Sequence, residues 1–244
     1  HTHRRVSITP NGNRRNSMKF NESRASILLC AAVTLLAVTM GTLQLSTWLE
    51  SISFVTGALC VWLTVKQNIW NFPLGLVNVT TYCVVFYRSR LFADAGLQVV
   101  YFLLGVIGWY LWLHGGANRT RLHITRISWQ ELAALLFFVT GCTLGLWQLL
   151  HKVGGSASFW DALTTSLSLA SQWLLNRKRL ESWLGWIIVD LIYVPLYIYK
   201  ELYLTAVLYG IFLIMAVMGW KAWHASWRQK SSHEVEPTVA GANV

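Results

Sequence analysis

Charge is scarce in this chain of 244 residues: Asp, Glu, Lys and Arg together make up 12%, against roughly 25% in an ordinary soluble domain. Acids are scarcest, ten in all, and only Asp190 falls in the middle of an apolar run. There is no GxSxG, no HExxH, no Walker loop and no Gly-rich dinucleotide turn. The common nucleophilic, zinc-hydrolytic and nucleotide-driven chemistries therefore have nothing to start from. The seven histidines, His114, His123 and His151 among them, fall in tails, in loops or at the ends of runs. Cys30, Cys60, Cys83 and Cys142 lie inside apolar runs with no CxxC spacing and no neighbouring His, which argues against a disulfide framework or a metal centre. The expectation is a protein that is not an enzyme and has no cofactor.

What the chain has in quantity is hydrophobic length. Hydrophobic residues make up 55%, gathered into runs at 25–45, 50–65, 69–87, 94–114, 129–150, 158–175, 182–199 and 202–223. A bilayer core about 30 Å thick takes roughly 20 helical residues to cross, whereas barrel strands are about ten residues long and alternate in polarity. Eight transmembrane helices in an all-α integral membrane protein are expected, flanked by polar tails at 1–23 and 225–244. The links between runs are too short for a soluble domain. The first run follows a polar tail and shows no small-residue cleavage site, so it reads as a retained helix, not a signal peptide.

The net charge of +10 points to lipid and topology before nucleic acid, because Lys and Arg collect on cytoplasmic loops. With the N-terminus inside, sixteen of the twenty basic residues fall on cytoplasmic segments, and only Arg88, Arg90, Lys152 and Lys200 fall opposite. Both termini are therefore expected in the cytoplasm.

The chain also repeats weakly. Shifted by 111, Gly108-Trp109 and Trp112 fall on Gly219-Trp220 and Trp223, Tyr82 falls on Tyr193, and Phe86 on Tyr197. Asn78 comes within one position of Asp190. Such a repeat implies two parallel three-helix bundles, 50–115 and 158–224, joined by a linker helix and loops at 116–157. An extra N-terminal helix at 24–49 is left over. In secondary transporters with parallel repeats, substrate sits at the pseudo-twofold axis.

Polar atoms deep in a bilayer are expensive, so the few present are informative. Asp190 is the first candidate, with Asn78 and Gln98 as polar company in a midplane pocket; helix glue by hydrogen bonding is the alternative, and the stronger one for Gln148 and Gln172. Trp183, Trp186 and Asp190 stand at i, i+3 and i+7, which stacks two indoles and a carboxylate on one helical face. That arrangement suits a flat cationic ring. One midplane acid offers no proton relay, and neither a Na⁺ site nor an ATP-binding segment is evident. Movement of solute would then be facilitated diffusion. Pro73 and Pro195 read equally as hinges or as static kinks.

The stretches QNIWNFPLGLVNVTTY, LFADAGLQVVYFLLGVIGWYLW and WLGWIIVD resemble the bacterial PnuC nicotinamide riboside transporter family over most of residues 50–223. The motifs are Trp183, Trp186 and Asp190, the Trp70-Asn71…Asn78 segment, and Gln98 with Tyr101. The resemblance implies a 3+1+3 architecture like that of the SWEET sugar transporters. It also implies uptake of nicotinamide riboside across the bacterial inner membrane for NAD synthesis, with trapping by a cytosolic kinase. It adds Trp70, Asn71, Tyr82 and Tyr101 to the substrate-binding set, and aligns Asn71 and Leu74 with Trp183 and Trp186. A fixed pyridinium charge, an amide and a ribose would ask for a carboxylate, indole faces and Asn or Gln side chains. Thiamine or another vitamin fits similar chemistry, and a non-transporting scaffold or receptor is the alternative from another class. The partners expected are the substrate and the bilayer, not nucleic acid; homo-oligomerisation is left open.

Overall fold

The computed structural model describes residues 48–88, 92–152, 158–199 and 203–240. The chain divides into two compact units, His1–Val55 and Thr56–Val244, and the packing below belongs to the second. The described helices are α1 (Trp48–Val65), α2 (Asn71–Arg88), α3 (Phe92–His114), α4 (Trp129–Lys152), α5 (Ser158–Asn176), α6 (Ser182–Tyr199) and α7 (Tyr203–Ala240). They match the apolar runs from the second onward. The first run, 25–45, and with it the extra N-terminal helix, lies outside the described residues.

Among the described residues, four segments are long and apolar enough to cross a membrane: Ala95–His114, Trp129–Lys152, Ser182–Tyr199 and Ala206–Gln229. α2 and α5 carry more hydroxyls, and several of these return to their own backbone. Thr80 and Thr81 donate to the Leu76 and Val77 carbonyls at 2.7 and 2.8 Å. Ser166 and Ser171 donate to Ala162 and Leu167 at 2.8 and 2.7 Å. A hydroxyl bonded within its own helix can be buried without a partner elsewhere, and Thr164, Ser166 and Ser171 are all buried. α4 is the opposite case, with Leu136, Phe137 and Leu149 exposed as a lipid-facing helix would have them.

Small residues set the closest helix approaches, as they do where apolar surface alone gives no drive to associate. A Cβ at Gly219 would meet the Trp183 indole at 2.6 Å, one at Gly108 would collide with Asn176 and Phe72, and one at Gly185 with Ser171. α7 is therefore seated against α6, α3 against α5 and α2, and α6 against α5.

The 111-residue offset recurs atom by atom. Phe72 and Trp112 meet edge-on at 5.0 Å and 87°, and Trp183 and Trp223 do the same at 5.4 Å and 87°. Trp112 Nε1 donates to the Leu175 carbonyl at 3.1 Å, and Trp223 Nε1 to the Thr64 carbonyl at 3.2 Å. α1 and α5 end in the same C-terminal cap. In one, Asn68 N donates to Leu63 O and Gln67 N to Thr64 O; in the other, Arg179 N donates to Leu174 O and Lys178 N to Leu175 O, all at 2.9 Å. Gln67 and Lys178 hold the left-handed position of each cap at φ 54° and 50°, where glycine is usual. This register corrects the alignment above by one residue. Phe72, not Asn71, stands where Trp183 stands, Asn71 corresponds to Ser182, and Gly75, not Leu74, corresponds to Trp186. Hydropathy alone tolerates such a slip, because neighbours in an apolar run are interchangeable to it; shared caps are not.

Segments 66–68, 115–128, 177–181 and 226–227 gather at one end of the bundle. Thr125 bridges Arg179 in parallel, Arg179 Nη1 donates to Thr125 Oγ1 at 2.7 Å, and Gln67 Nε2 donates to Ser226 Oγ at 3.4 Å. Arg179 pairs with Glu131 at 2.9 Å and Arg126 with Glu181 at 2.9 Å. α7 continues through the C-terminal polar segment as far as Ala240, since Gln, Lys and Glu are good helix formers. The end of an apolar run marks the membrane boundary, not the helix end. Pro73 occupies the first turn of α2, where its missing N–H breaks no helical bond, so it is not a mid-helix break; Pro195 lies within α6.

Candidate functional site

Asp190 lies on α6 and is 3% exposed. Among the described residues none forms an ion pair or a side-chain hydrogen bond with it. Its surroundings come from the same face of α6 and from α7. Tyr193 and Tyr197 follow it at i+3 and i+7, with rings 5.4 Å apart. Tyr209 of α7 closes the group, 4.5 Å from the Tyr193 ring and stacked on Tyr197 at 5.1 Å and 14°. The Tyr209 hydroxyl hydrogen-bonds Tyr197 and is within electrostatic reach of Asp190. Phe212 meets Tyr209 edge-on at 5.8 Å. Across from them, the Tyr101 hydroxyl of α3 hydrogen-bonds Ser168 of α5 and lies within electrostatic reach of Tyr193.

The result is a buried carboxylate beside a cluster of three tyrosines in an apolar bundle. A buried carboxylate without a counter-charge is costly, whereas one beside an entering cation is compensated. Tyrosine faces attract cations through their quadrupole, and their hydroxyls can donate to or accept from amide and ribose groups. The nest suits a small aromatic cation bearing hydrogen-bonding groups.

The nine sequence candidates divide. Asp190 and Tyr101 reach this nest through Tyr209 and Tyr193. Trp186 is half-buried and packed against the aromatic cluster at the α6 start. Trp183 is 2% exposed within that cluster, and its indole N–H has no acceptor among the described residues. Asn71 is also buried; its Nδ2 donates to Thr64 Oγ1 at 2.9 Å, while its Oδ1 has no donor among the described residues. Asn78 donates to Thr56 Oγ1 at 2.9 Å, an α2–α1 contact. Tyr82 stacks on Phe86 at 5.7 Å in the first half, as Tyr193 does on Tyr197 in the second. Gln98 is half-buried. Trp70 is 68% exposed and stands apart from the buried set, as an interfacial ring would.

Tyr193, Tyr197, Tyr209 and Ser168 were missed as site residues. The signal for two of them was present: the Trp183-Trp186-Asp190 stripe continues at the same spacing to Tyr193 and Tyr197. Tyr209 and Ser168 come from other helices and depend on packing. A separate cavity of about 720 Å³ opens at the loop end, lined by Lys66, Gln67, Arg121, His123, Lys178 and Trp227 among others. None of the nine candidates lines it. No group of three or more metal-ligating side chains occurs among the described residues.

Comparison with known proteins bears on this arrangement. A family model described as "Nicotinamide mononucleotide transporter" matches residues 47–225. The nicotinamide riboside transporter PnuC of Escherichia coli (strain K12) is 28% identical over 214 residues, covering 76% of this chain and 88% of the relative. That of Haemophilus influenzae is 29% identical over 183 residues, covering 72% and 79%. The riboflavin/roseoflavin transporter RibM of Streptomyces davaonensis is 24% identical over 200 residues, covering 80% and 91%. In fold, the crystal structure of the vitamin B3 transporter PnuC is similar with a TM-score of 0.67 at 22% identity, over 83% of this chain and 92% of that one.

Proposed function

Because this chain belongs to the nicotinamide mononucleotide transporter family, we propose that it carries nicotinamide riboside across the bacterial inner membrane by facilitated diffusion. The observation that carries the reading is Asp190: a buried carboxylate with no ion pair or side-chain hydrogen bond among the described residues, on the helix face that carries Tyr193 and Tyr197 and within electrostatic reach of Tyr209. The pyridinium supplies the missing charge, the tyrosine faces take the ring, and the phenol and Ser168 hydroxyls take amide and ribose. Trp186 and Trp183 line the approach from the other end of α6, with Asn78, Gln98, Tyr82 and Asn71 contributing from the first half. The substrate passes unchanged, so no catalytic group is required.

The repeated caps and crossed indole bonds support a 3+1+3 arrangement, with α1–α3 and α5–α7 as the two bundles and the lipid-facing α4 as linker. The gathering of Lys66, Arg121, Arg126, Lys178 and Arg179 at one end supports that end being cytoplasmic, and both termini with it. Riboflavin is the second reading, favoured by the similarity to RibM. A neutral flavin leaves Asp190 without a role.

Uptake into proteoliposomes tests both. Nicotinamide riboside should equilibrate across the membrane and no further, with riboflavin and thiamine excluded. An imposed pH or Na⁺ gradient, with the membrane potential clamped, should produce no accumulation above the external concentration. Accumulation driven by either gradient would contradict facilitated diffusion.

A further inference from the structure

The loop-end cavity has a chemistry opposite to that of the Asp190 nest. Lys66, Arg121, His123 and Lys178 line it, and no Asp or Glu does. Two of its walls are the matched caps: Lys178 and Gln67 occupy equivalent left-handed positions, and Lys178 Nζ reaches Gln67 Oε1 at 3.5 Å. Lys178 is more than nine-tenths buried and its ammonium lies over the Trp112 ring at 4.3 Å. Among the described residues, one long hydrogen bond leaves most of the three donors of this ammonium unused. Burial and the nearby Arg121 pull the Lys178 ammonium down to about 8, the direction in which an incoming anion would be welcome.

The remaining lining fits the other half of a ligand. Asn68, Gln67 and Ser226 offer neutral hydrogen-bonding groups, and the half-buried Trp227 offers an indole. A volume of about 720 Å³ lies within the roughly 300–1,000 Å³ usual for small-molecule sites. A site of this composition repels the cation that the Asp190 nest attracts, and holds an anion with an aromatic group attached.

We propose that this cavity binds a phosphomonoester joined to an aromatic base, the form a nucleoside takes after a kinase phosphorylates it. The identity of the base rests on the transport reading above; the phosphate rests on the cavity alone. Lys178, Arg121 and Lys66 hold the phosphate, His123 stands beside them, and Trp227 takes the ring. The phosphorylated product would thus be sensed at the mouth through which its precursor enters the cell.

Binding to the purified full-length protein in nanodiscs of neutral lipid tests it, followed by calorimetry at pH 7. The probes are nicotinamide mononucleotide, adenosine monophosphate, inorganic phosphate and nicotinamide riboside, with nanodiscs containing an anionic phospholipid as a separate arm. Nicotinamide mononucleotide should bind, weakening at least tenfold in Arg121→Gln, which alters an exposed loop residue, and in Lys178→Met. Its binding should be unchanged in Asp190→Asn, and riboside binding unchanged in Arg121→Gln. Absence of mononucleotide binding, equal binding by folded Arg121→Gln and wild type, or binding abolished by Asp190→Asn would overturn the proposal. So would loss of mononucleotide binding only when anionic lipid is present, combined with no binding of inorganic phosphate, since the cavity would then be a headgroup site. Riboside binding without mononucleotide binding sinks this site and leaves the transport reading standing; the reverse sinks the transport reading alone.

Discussion

Trp112 and Trp223 are related by an exchange: their rings lie 5.9 Å apart, and each indole N–H crosses to a carbonyl in the opposite half of the chain. The two acceptors, Leu175 and Thr64, are themselves 111 residues apart, as the donors are. Each bond ties the end of one half to the beginning of the other, at the end where the loops gather.

Replacing either indole with a ring that cannot donate should therefore cost a similar amount in either half. Trp112→Phe and Trp223→Phe should each destabilise by about 0.5–1.5 kcal/mol through the lost hydrogen bond, plus the cost of the space left by the smaller ring, because the Leu175 and Thr64 carbonyls keep their cap bonds. Thermal unfolding in detergent measures it. A loss in one variant and none in the other would break the equivalence.

Helix approach at glycine gives a sharper contrast. Gly219→Ala drives a methyl into the Trp183 indole, whereas Gly145 faces open space. The first should destabilise by about 1–3 kcal/mol through overpacking, and Gly145→Ala should be neutral or slightly stabilising through helix propensity.

Lys178 predicts a pH dependence with a definite sign. Its ammonium titrates near 8 in the folded chain against an ordinary 10.5. Between those values the unfolded chain binds more protons than the folded one, so stability rises as pH increases from about 8 to about 10.5. The slope should flatten in Lys178→Met. A melting temperature that falls over that interval for this reason, or a slope unchanged in the variant, would contradict the burial of a charged Lys178.

Orientation is checked by labelling. Asn118→Cys and Lys152→Cys lie at opposite ends of α4 and its preceding loop, and a membrane-impermeant thiol reagent applied to intact cells should reach the second and not the first. Equal labelling would remove the proposed topology.

Much of the fold was legible because membrane burial imposes a long-period signal that single residues cannot blur. Seven runs reappear as helices with ends shifted by a few residues. The exception is α7, whose polar continuation to Ala240 carries no apolar signal. Asp190 was legible for the same reason: one acid in a run of aliphatics stands out. The tyrosine nest was not, because Tyr209 and Ser168 look like ordinary helix residues until packing brings them to Asp190 and Tyr101. The one-residue slip between Asn71 and Phe72 has a similar origin. Both lie in the same apolar run, and the 111-residue offset of the Gly-Trp-x-x-Trp endings, which the cap hydrogen bonds of Gln67 and Lys178 share, selects Phe72.

The central claim is that Asp190 compensates the charge of the substrate. Calorimetric titration of nicotinamide riboside into wild type and Asp190→Asn, with folding of the variant checked by its melting curve, tests it directly. The substitution keeps shape and hydrogen-bonding capacity while removing the charge, so affinity should fall by about 1.5–3 kcal/mol, the range for hydrogen bonds to charged groups, or roughly one to two orders of magnitude in Kd. Wild-type affinity in a folded Asp190→Asn protein would show that the carboxylate only holds helices together, and would contradict the account.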